Sequence, residues 1–207
     1  MLGTVPARRR LTPQDRRRQL LDVGAGMFAT RPYESVLMEE IAERAGVSRA
    51  LLYKHFPSKH DLFAAVYREA ADGLLDATGL DTDAPFVDQV GAGLDTHIEY
   101  FAANASAVLA ANRTLAGDPT IQAIITGELA VLRQRMIDVS GLDGSDRDRL
   151  AAVLTAWLVF VRVLVLDWLA NPTFGRTDLH TICMGALTGA LGDLVPRIEQ
   201  NRRGVHA

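Results

Sequence analysis

Proline and glycine divide the chain into segments whose apolar residues recur at helical spacing, and no stretch alternates apolar with polar residues as a half-buried strand would. That pattern restricts the chain to an all-α fold. Its 207 residues suffice for one large domain or a small one joined to a larger one. With 48% hydrophobic and 23% charged residues it can bury a sizeable core and is not disordered as a whole. The single Cys183 cannot form an intramolecular disulfide, and no apolar run follows Met1, so the expected setting is a reducing cytoplasm without a signal peptide.

The punctuation predicts about nine helices. The first runs from Pro13 to about Ala29, with Thr12 as N-cap and Pro13 at the first helical position. Gly24 and Gly26 each cost it about 1 kcal/mol against Ala. Short helices follow at Met38–Ala45 and Arg49–His55, and Ser58 opens a longer one with Asp61 as its capping-box partner. Leu80 to Pro85 reads as a linker. Beyond it, helices are expected at Pro85–Asn104, Ser106–Leu115, Pro119–Ser140, Ser145–Ala170 and Thr177–Asn201, with Arg202 and Arg203 in a frayed tail. Ala151 to Leu166 is the most hydrophobic stretch. Thr155 and Arg162 interrupt it and it falls short of the roughly 18 to 20 residues of a membrane span, so it reads as a buried helix of a protein with no membrane partner.

Charge divides the chain differently from its overall value of −3. Residues 1–60 carry 11 Lys and Arg against 6 Asp and Glu, and residues 61–207 carry 11 against 19, so a head of +5 precedes a body of −8. Arg8, Arg9, Arg10, Arg16, Arg17 and Arg18 lie within the first 18 residues, opposed only by Asp15. Such a run is most often a solvated arm; beside a nucleic-acid motif it reads as a phosphate-seeking one.

That motif is the segment from Ile41 to Phe56. Ile41 and Ala45 form the inner face of one short helix, Gly46 ends it in the left-handed conformation, Val47 plugs the corner and Ser48 caps a second helix beginning at Arg49. An ordinary helical hairpin would use the same turn, but would not explain Arg49, Tyr53, Lys54 and His55 on the outer side of the second helix. The segment reads as a helix-turn-helix, in which the second helix enters the DNA major groove through its N-terminal residues.

From roughly Arg16 to Tyr67 the chain resembles the TetR-type (tetracycline-repressor-like) transcriptional regulators. The resemblance rests on Ile41-Ala42, Ala45 to Ser48, Leu52-Tyr53, His55-Phe56 and Lys59 through Leu62, with Leu20 to Asp22, Phe28 and Tyr33 before them. Pro32 stands where Gly is common, and Leu37 replaces the customary Thr or Ser cap, with Ser35 as the substitute. The resemblance implies a three-helix DNA-binding head at residues 13–73 and an effector-binding and dimerisation body at residues 74–207. It implies as partners a double-stranded DNA operator, an unidentified small-molecule effector and a second copy of the chain. Ser48 and Arg49 then start the recognition helix, Arg49 reaching guanine or phosphate, while Ala50 and Leu51 offer apolar contact to thymine methyls. Tyr53, Lys54, His55 and Lys59 become phosphate contacts, and Leu52 and Phe56 core residues.

In the body, Phe86, Val90, Leu94, His97 and Phe101 form one stripe with Asp88, Asp95 and Glu99 opposite. A lone His on such a face is more often a satisfied core residue than a ligand contact. His97, Tyr100, Phe101, Asn104, Asn112, Gln122, Thr126, Trp157 and Arg162 are the candidate pocket residues. The helix from Ser145 is apolar all round and requires burial on every side, its own body covering one face and a partner another. Gly185, Gly189 and Gly192 share a stripe that fits a dimer interface, or close packing within the same subunit. Gly24 to Ala29 matches G-x-G-x-x-A, but no strand precedes it and no phosphate cradle can form. His55 and His60 do not match a metal spacing, and no cofactor is expected. Nothing argues for an enzyme; the alternative is a helical ligand-binding protein or enzyme whose head no longer binds DNA.

Overall fold

In a computed structural model of the chain, residues 12–79 and 84–205 are described. Ten α-helices and no strands occur among them: α1 (Pro13–Thr30), α2 (Met38–Arg44), α3 (Arg49–His55), α4 (Lys59–Ala77), α5 (Phe86–Ala103), α6 (Ala105–Leu109), α7 (Pro119–Ser140), α8 (Gly144–Ala170), α9 (Arg176–Leu191) and α10 (Leu194–Val205). The fold is all-α, as the periodicity predicts. Arg8, Arg9 and Arg10 and most of the expected linker lie outside the described residues.

Local chemistry sets the helix ends. Thr12 and Asp15 form a reciprocal capping box ahead of Pro13. Ser58 accepts from the Asp61 N–H, and Asp118 from the Ile121 N–H ahead of Pro119. Gly141, at φ +65°, ends α7 in the left-handed region. Pro85 offers no side-chain cap to α5; the Phe86 N–H instead donates to Glu199 Oε1 of α10 at 2.7 Å.

Four expectations need correction. Ser35 does not cap α2: its hydroxyl donates to the Pro32 carbonyl, and Leu37 occupies the N-cap with no side-chain bond. The helix expected at Ser106–Leu115 is α6 continuing as a π segment, Ala110–Thr114, whose wider turn displaces the following residues around the axis. The last expected helix breaks into α9 and α10 at Gly192, where φ is +51°. Arg202 is held rather than frayed, since it donates to the Ala84 carbonyl at 2.8 Å.

Two cores result. In the first, Phe28, Tyr33, Phe63 and Tyr67 form an aromatic cluster, Phe28 and Phe63 meeting edge to face at 5.0 Å. This core also takes in Ala110, Ala111, Ile121, Ile124 and Ile125, so the π segment and the start of α7 complete the interior of the head. The second core joins α5, the end of α7, and α8 to α10 through Phe86, Leu94, Ile98, Ile137, Leu154 and Leu187. Trp157 Nε1–H donates to the Cys183 carbonyl at 2.7 Å and ties α8 to α9. Burial pushes the Cys183 thiol up to about 11 and leaves it unreactive.

The G-x-G-x-x-A match lies inside α1, where its two glycines differ. A Cβ on Gly24 would touch Leu62 and Val66 of α4 at 3.4 Å, whereas one on Gly26 would meet nothing within 4 Å. Gly26→Ala is therefore expected to raise unfolding stability by about 1 kcal/mol in urea titration, through helix propensity and reduced unfolded-state freedom. Gly24→Ala gains less, because its methyl pushes on α4.

Candidate nucleic-acid interface and effector cavity

The turn between α2 and α3 is built by backbone bonds. The Gly46 N–H donates to Glu43 O at 3.0 Å and the Val47 N–H to Ala42 O at 2.9 Å, with Gly46 at φ +61°. Gln19 of α1 donates to the Ala45 carbonyl at 3.0 Å and anchors the turn to the head. Ser48 Oγ then accepts from the Leu51 N–H at 3.2 Å and starts α3. Leu52 and Phe56 are buried, while Arg49, Ala50, Tyr53 and Lys54 are exposed and Leu51 and His55 half-exposed. The division between core and outer face is the one expected.

Three features were not legible in the motif. Arg49 lies 3.6 Å from Glu39, so a carboxylate of α2 sits beside the start of the recognition helix. Glu39 and Glu40 both fall in the first turn of α2, and Arg31 pairs with Glu40 at 2.8 Å, holding its carboxyl below the ordinary range. Lys59 departs from its expected role. Its ammonium donates to the carbonyls of Tyr33, Glu34 and Val36 at 2.9, 3.2 and 3.1 Å and lies over the Tyr33 ring. All three donors are engaged, so Lys59 fastens the α1–α2 connection instead of offering itself to a phosphate.

A cavity lies among α5, α7 and α8, with Thr78 at the end of α4 closing one side. It is a narrow space of about 780 Å³, its open mouth included. Val90, Leu94, Ile98, Leu129, Leu132 and Val161 give it an apolar wall. Of the candidate pocket residues, His97, Phe101, Trp157 and Arg162 line it. Tyr100 instead faces a smaller pocket with Tyr67 and Leu74. Asn112 acts one step away, accepting from Arg162 Nε at 2.8 Å. Asn104 and Thr126 donate to carbonyls of their own helical turns, and neither they nor Gln122 line the cavity. Polar wall residues that sequence reasoning missed are Glu128, Gln89 and Thr78, all buried. Glu128 sits in an amphipathic helix, where a carboxylate reads as a solvated face.

Head and body meet in a polar contact as well as in a core. His60, at the start of α4, lies 2.8 Å from Asp118 Oδ2, while Asp118 Oδ1 caps α7. On the far side of the body, Val159, Phe160 and Val163 of α8 and Ile182 of α9 are exposed, Val163 by 62%. A Cβ on Gly185, Gly189 or Gly192 would meet nothing within 4 Å, so the glycine stripe does not pack within its own subunit. The most apolar window of α8, with mean hydropathy 2.1, has 28% of its residues buried, and α8 alone among the described helices is long and apolar enough to cross a membrane. The chain's own body covers only part of this helix, which leaves an apolar face for a partner as expected from its all-round apolar sequence.

Comparison with known proteins agrees with this geometry. Residues 20–66 match the family model described as bacterial regulatory proteins, tetR family. The head is similar in sequence to the tetR family. A transcriptional activator, FasR of Mycolicibacterium smegmatis, is 46% identical over 66 residues, covering 32% of this chain and 30% of that protein. The likeness to such relatives thus spans about a third of their length. A tetR-family regulator structure from Streptomyces coelicolor superposes with a TM-score of 0.80 at 22% identity, covering 94% of this chain and 90% of that one. FadR of Bacillus subtilis, solved with stearoyl-CoA, gives 0.59 at 17% identity over 84% and 97%. The body therefore shares the fold of tetR-family structures although its sequence has diverged.

The Asp118 carboxyl is held below its ordinary value of 3.8, first by the Ile121 N–H and then by His60. A depressed carboxylate stabilises the fold above its unfolded pKa, and this contribution disappears as pH falls through the folded value. Asp118→Asn should therefore lower the urea midpoint at pH 7 and lower it less at pH 3.

Proposed function

We propose that the chain is a homodimeric, ligand-responsive DNA-binding transcriptional regulator, acting as a repressor that leaves its operator when a small molecule fills the body cavity. The observation that carries this reading is the shared core: the exposed face of α3 belongs to a head whose interior is completed by the π segment and α7. Glu128, Leu129, Leu132 and Met136 of that same α7 line the cavity. Ligand that displaces α7 also acts on Ile121, Ile124 and Ile125 and on the His60–Asp118 contact, and so turns the head. A dimer binds successive major grooves about 34 to 36 Å apart, and a turn of each head spoils that spacing.

Arg49, Ala50 and Leu51 at the start of α3 are assigned to base edges. Tyr53, Lys54 and His55 are assigned to phosphates. A second copy of the chain covers the apolar face of α8 and α9, with the open glycines allowing close helix approach. An exposed run of Val159, Phe160, Val163 and Ile182 without charge is the surface such an isologous contact needs.

Binding to DNA from the chain's own promoter region, titrated with salt, tests the reading. Specific binding should weaken steeply as salt rises; no sequence preference at any salt would refute it. Tyr53→Ala should weaken binding to all sequences alike, whereas Leu51→Ala should alter the preference among bases by about 1 kcal/mol or more. Equal losses on every sequence for both variants would contradict the division of roles. Val163→Asp should shift the sedimentation profile from dimer toward monomer while leaving the helical circular dichroism of the chain in place.

A further inference from the structure

The polar side chains in an otherwise apolar cavity wall are those of Thr78, Gln89, His97, Glu128 and Arg162. His97 Nδ1 lies 3.0 Å from the Gly93 carbonyl, which can only accept, so Nδ1 carries a proton there and Nε2 is the ring nitrogen left for a ligand. That Nε2 is buried without a hydrogen bond. Glu128 Oε1 lies 3.5 Å from it, beyond ordinary hydrogen-bond length, so a donor placed between them reaches the carboxylate. Gln89 commits its amide Nε2 to the Ala84 carbonyl at 2.5 Å, and its Oε1 is likewise buried and unpartnered.

The one cation in the wall does not relieve this. Arg162 directs Nε and one terminal nitrogen to Asn112 Oδ1 and interacts with the Tyr67 hydroxyl, so it faces α4 and the π segment. Burial raises the Tyr67 hydroxyl above its ordinary range, so Tyr67 brings no charge of its own. A carboxylate, an unpartnered imidazole nitrogen and an unpartnered amide oxygen thus face a narrow apolar space. Each is costly to bury unless a donor reaches it.

We infer that the cavity takes a slender apolar molecule bearing a hydrogen-bond donor, with an alkylammonium group preferred, and discriminates against carboxylates and other anions. The donor sits between Glu128 and His97 and the alkyl part lies along Val90, Leu94, Leu132 and Met136. An anionic head would meet like charge at Glu128 and leave Nε2 and Gln89 Oε1 without donors. This inference rests on the cavity being the ligand site proposed above.

Three probes of equal chain length test it on the full-length protein by isothermal titration calorimetry at pH 7: n-octylamine, 1-octanol and octanoate. Octylamine should bind at least about tenfold more tightly than octanoate, the scale of one charge-assisted hydrogen bond. Glu128→Gln should weaken octylamine by about tenfold and change 1-octanol by less than about threefold. Octanoate binding as tightly as octylamine, or an unchanged octylamine affinity in Glu128→Gln, would overturn the inference and leave the cavity as a ligand site. Failure of all three probes to bind would overturn both. If the variant does not fold, the ranking of the three probes on the native chain decides.

Discussion

The head does not close its own core. Ala110, Ala111, Ile121, Ile124 and Ile125 come from segments more than forty residues beyond the helix-turn-helix, yet they pack with Phe28, Phe63 and Tyr67. Hydrophobic cores are dense and deform in discrete steps, so two units that share one cannot move independently. The position of α3 is thereby tied to α7, and α7 is tied to the cavity. Charge adds a second tether at His60 and Asp118, where an N-cap of the body serves the start of α4. Packing carries most of the coupling in this arrangement, because the ion pair is partly solvated and exposed pairs are individually weak.

The sequence was most informative where one residue decides a local geometry. Ser48 and Arg49 mark the start of α3, Pro119 marks the start of α7, and the limits Arg49–His55 and Pro119–Ser140 are those observed. It was least informative where periodicity survives a break. Leu187, Leu191, Leu194 and Ile198 continue at helical spacing through Gly192, so the division between α9 and α10 leaves no trace in the apolar pattern. The cavity shows the same limit. His97, Phe101, Trp157 and Arg162 stood out because polar or large residues on apolar faces attract notice, while Glu128 and Gln89 looked like ordinary surface positions. Asn104 and Thr126 were misread because their side chains bond to their own helix, a local choice that competes with any outside ligand.

The division of charge also acquires a physical form. The excess of positive charge in residues 1–60 is not free to act as a block, since Lys59 is committed to three carbonyls and Arg31 to Glu40 and the Ser35 carbonyl. Arg17 lies over the Phe56 ring at 5.1 Å, adding a cation to the aromatic edge of the head core. Among the described residues, Arg49, beside Glu39, and Lys54 are the exposed cations of α3, on a face whose shape is fixed by the turn. Shape therefore contributes more to the head than its bare charge suggests.

Glu39 and Glu40 at the first turn of α2 have a kinetic consequence. In a helix-turn-helix this helix crosses the phosphate track, and carboxylates placed there reduce the attraction that every DNA sequence exerts alike. A weaker hold on random sequence shortens each visit and lets a protein sample more sites in a given time, while the cost at the right site is offset by base contacts. On the DNA-binding reading proposed above, the acid beside Arg49 favours rapid search over indiscriminate residence.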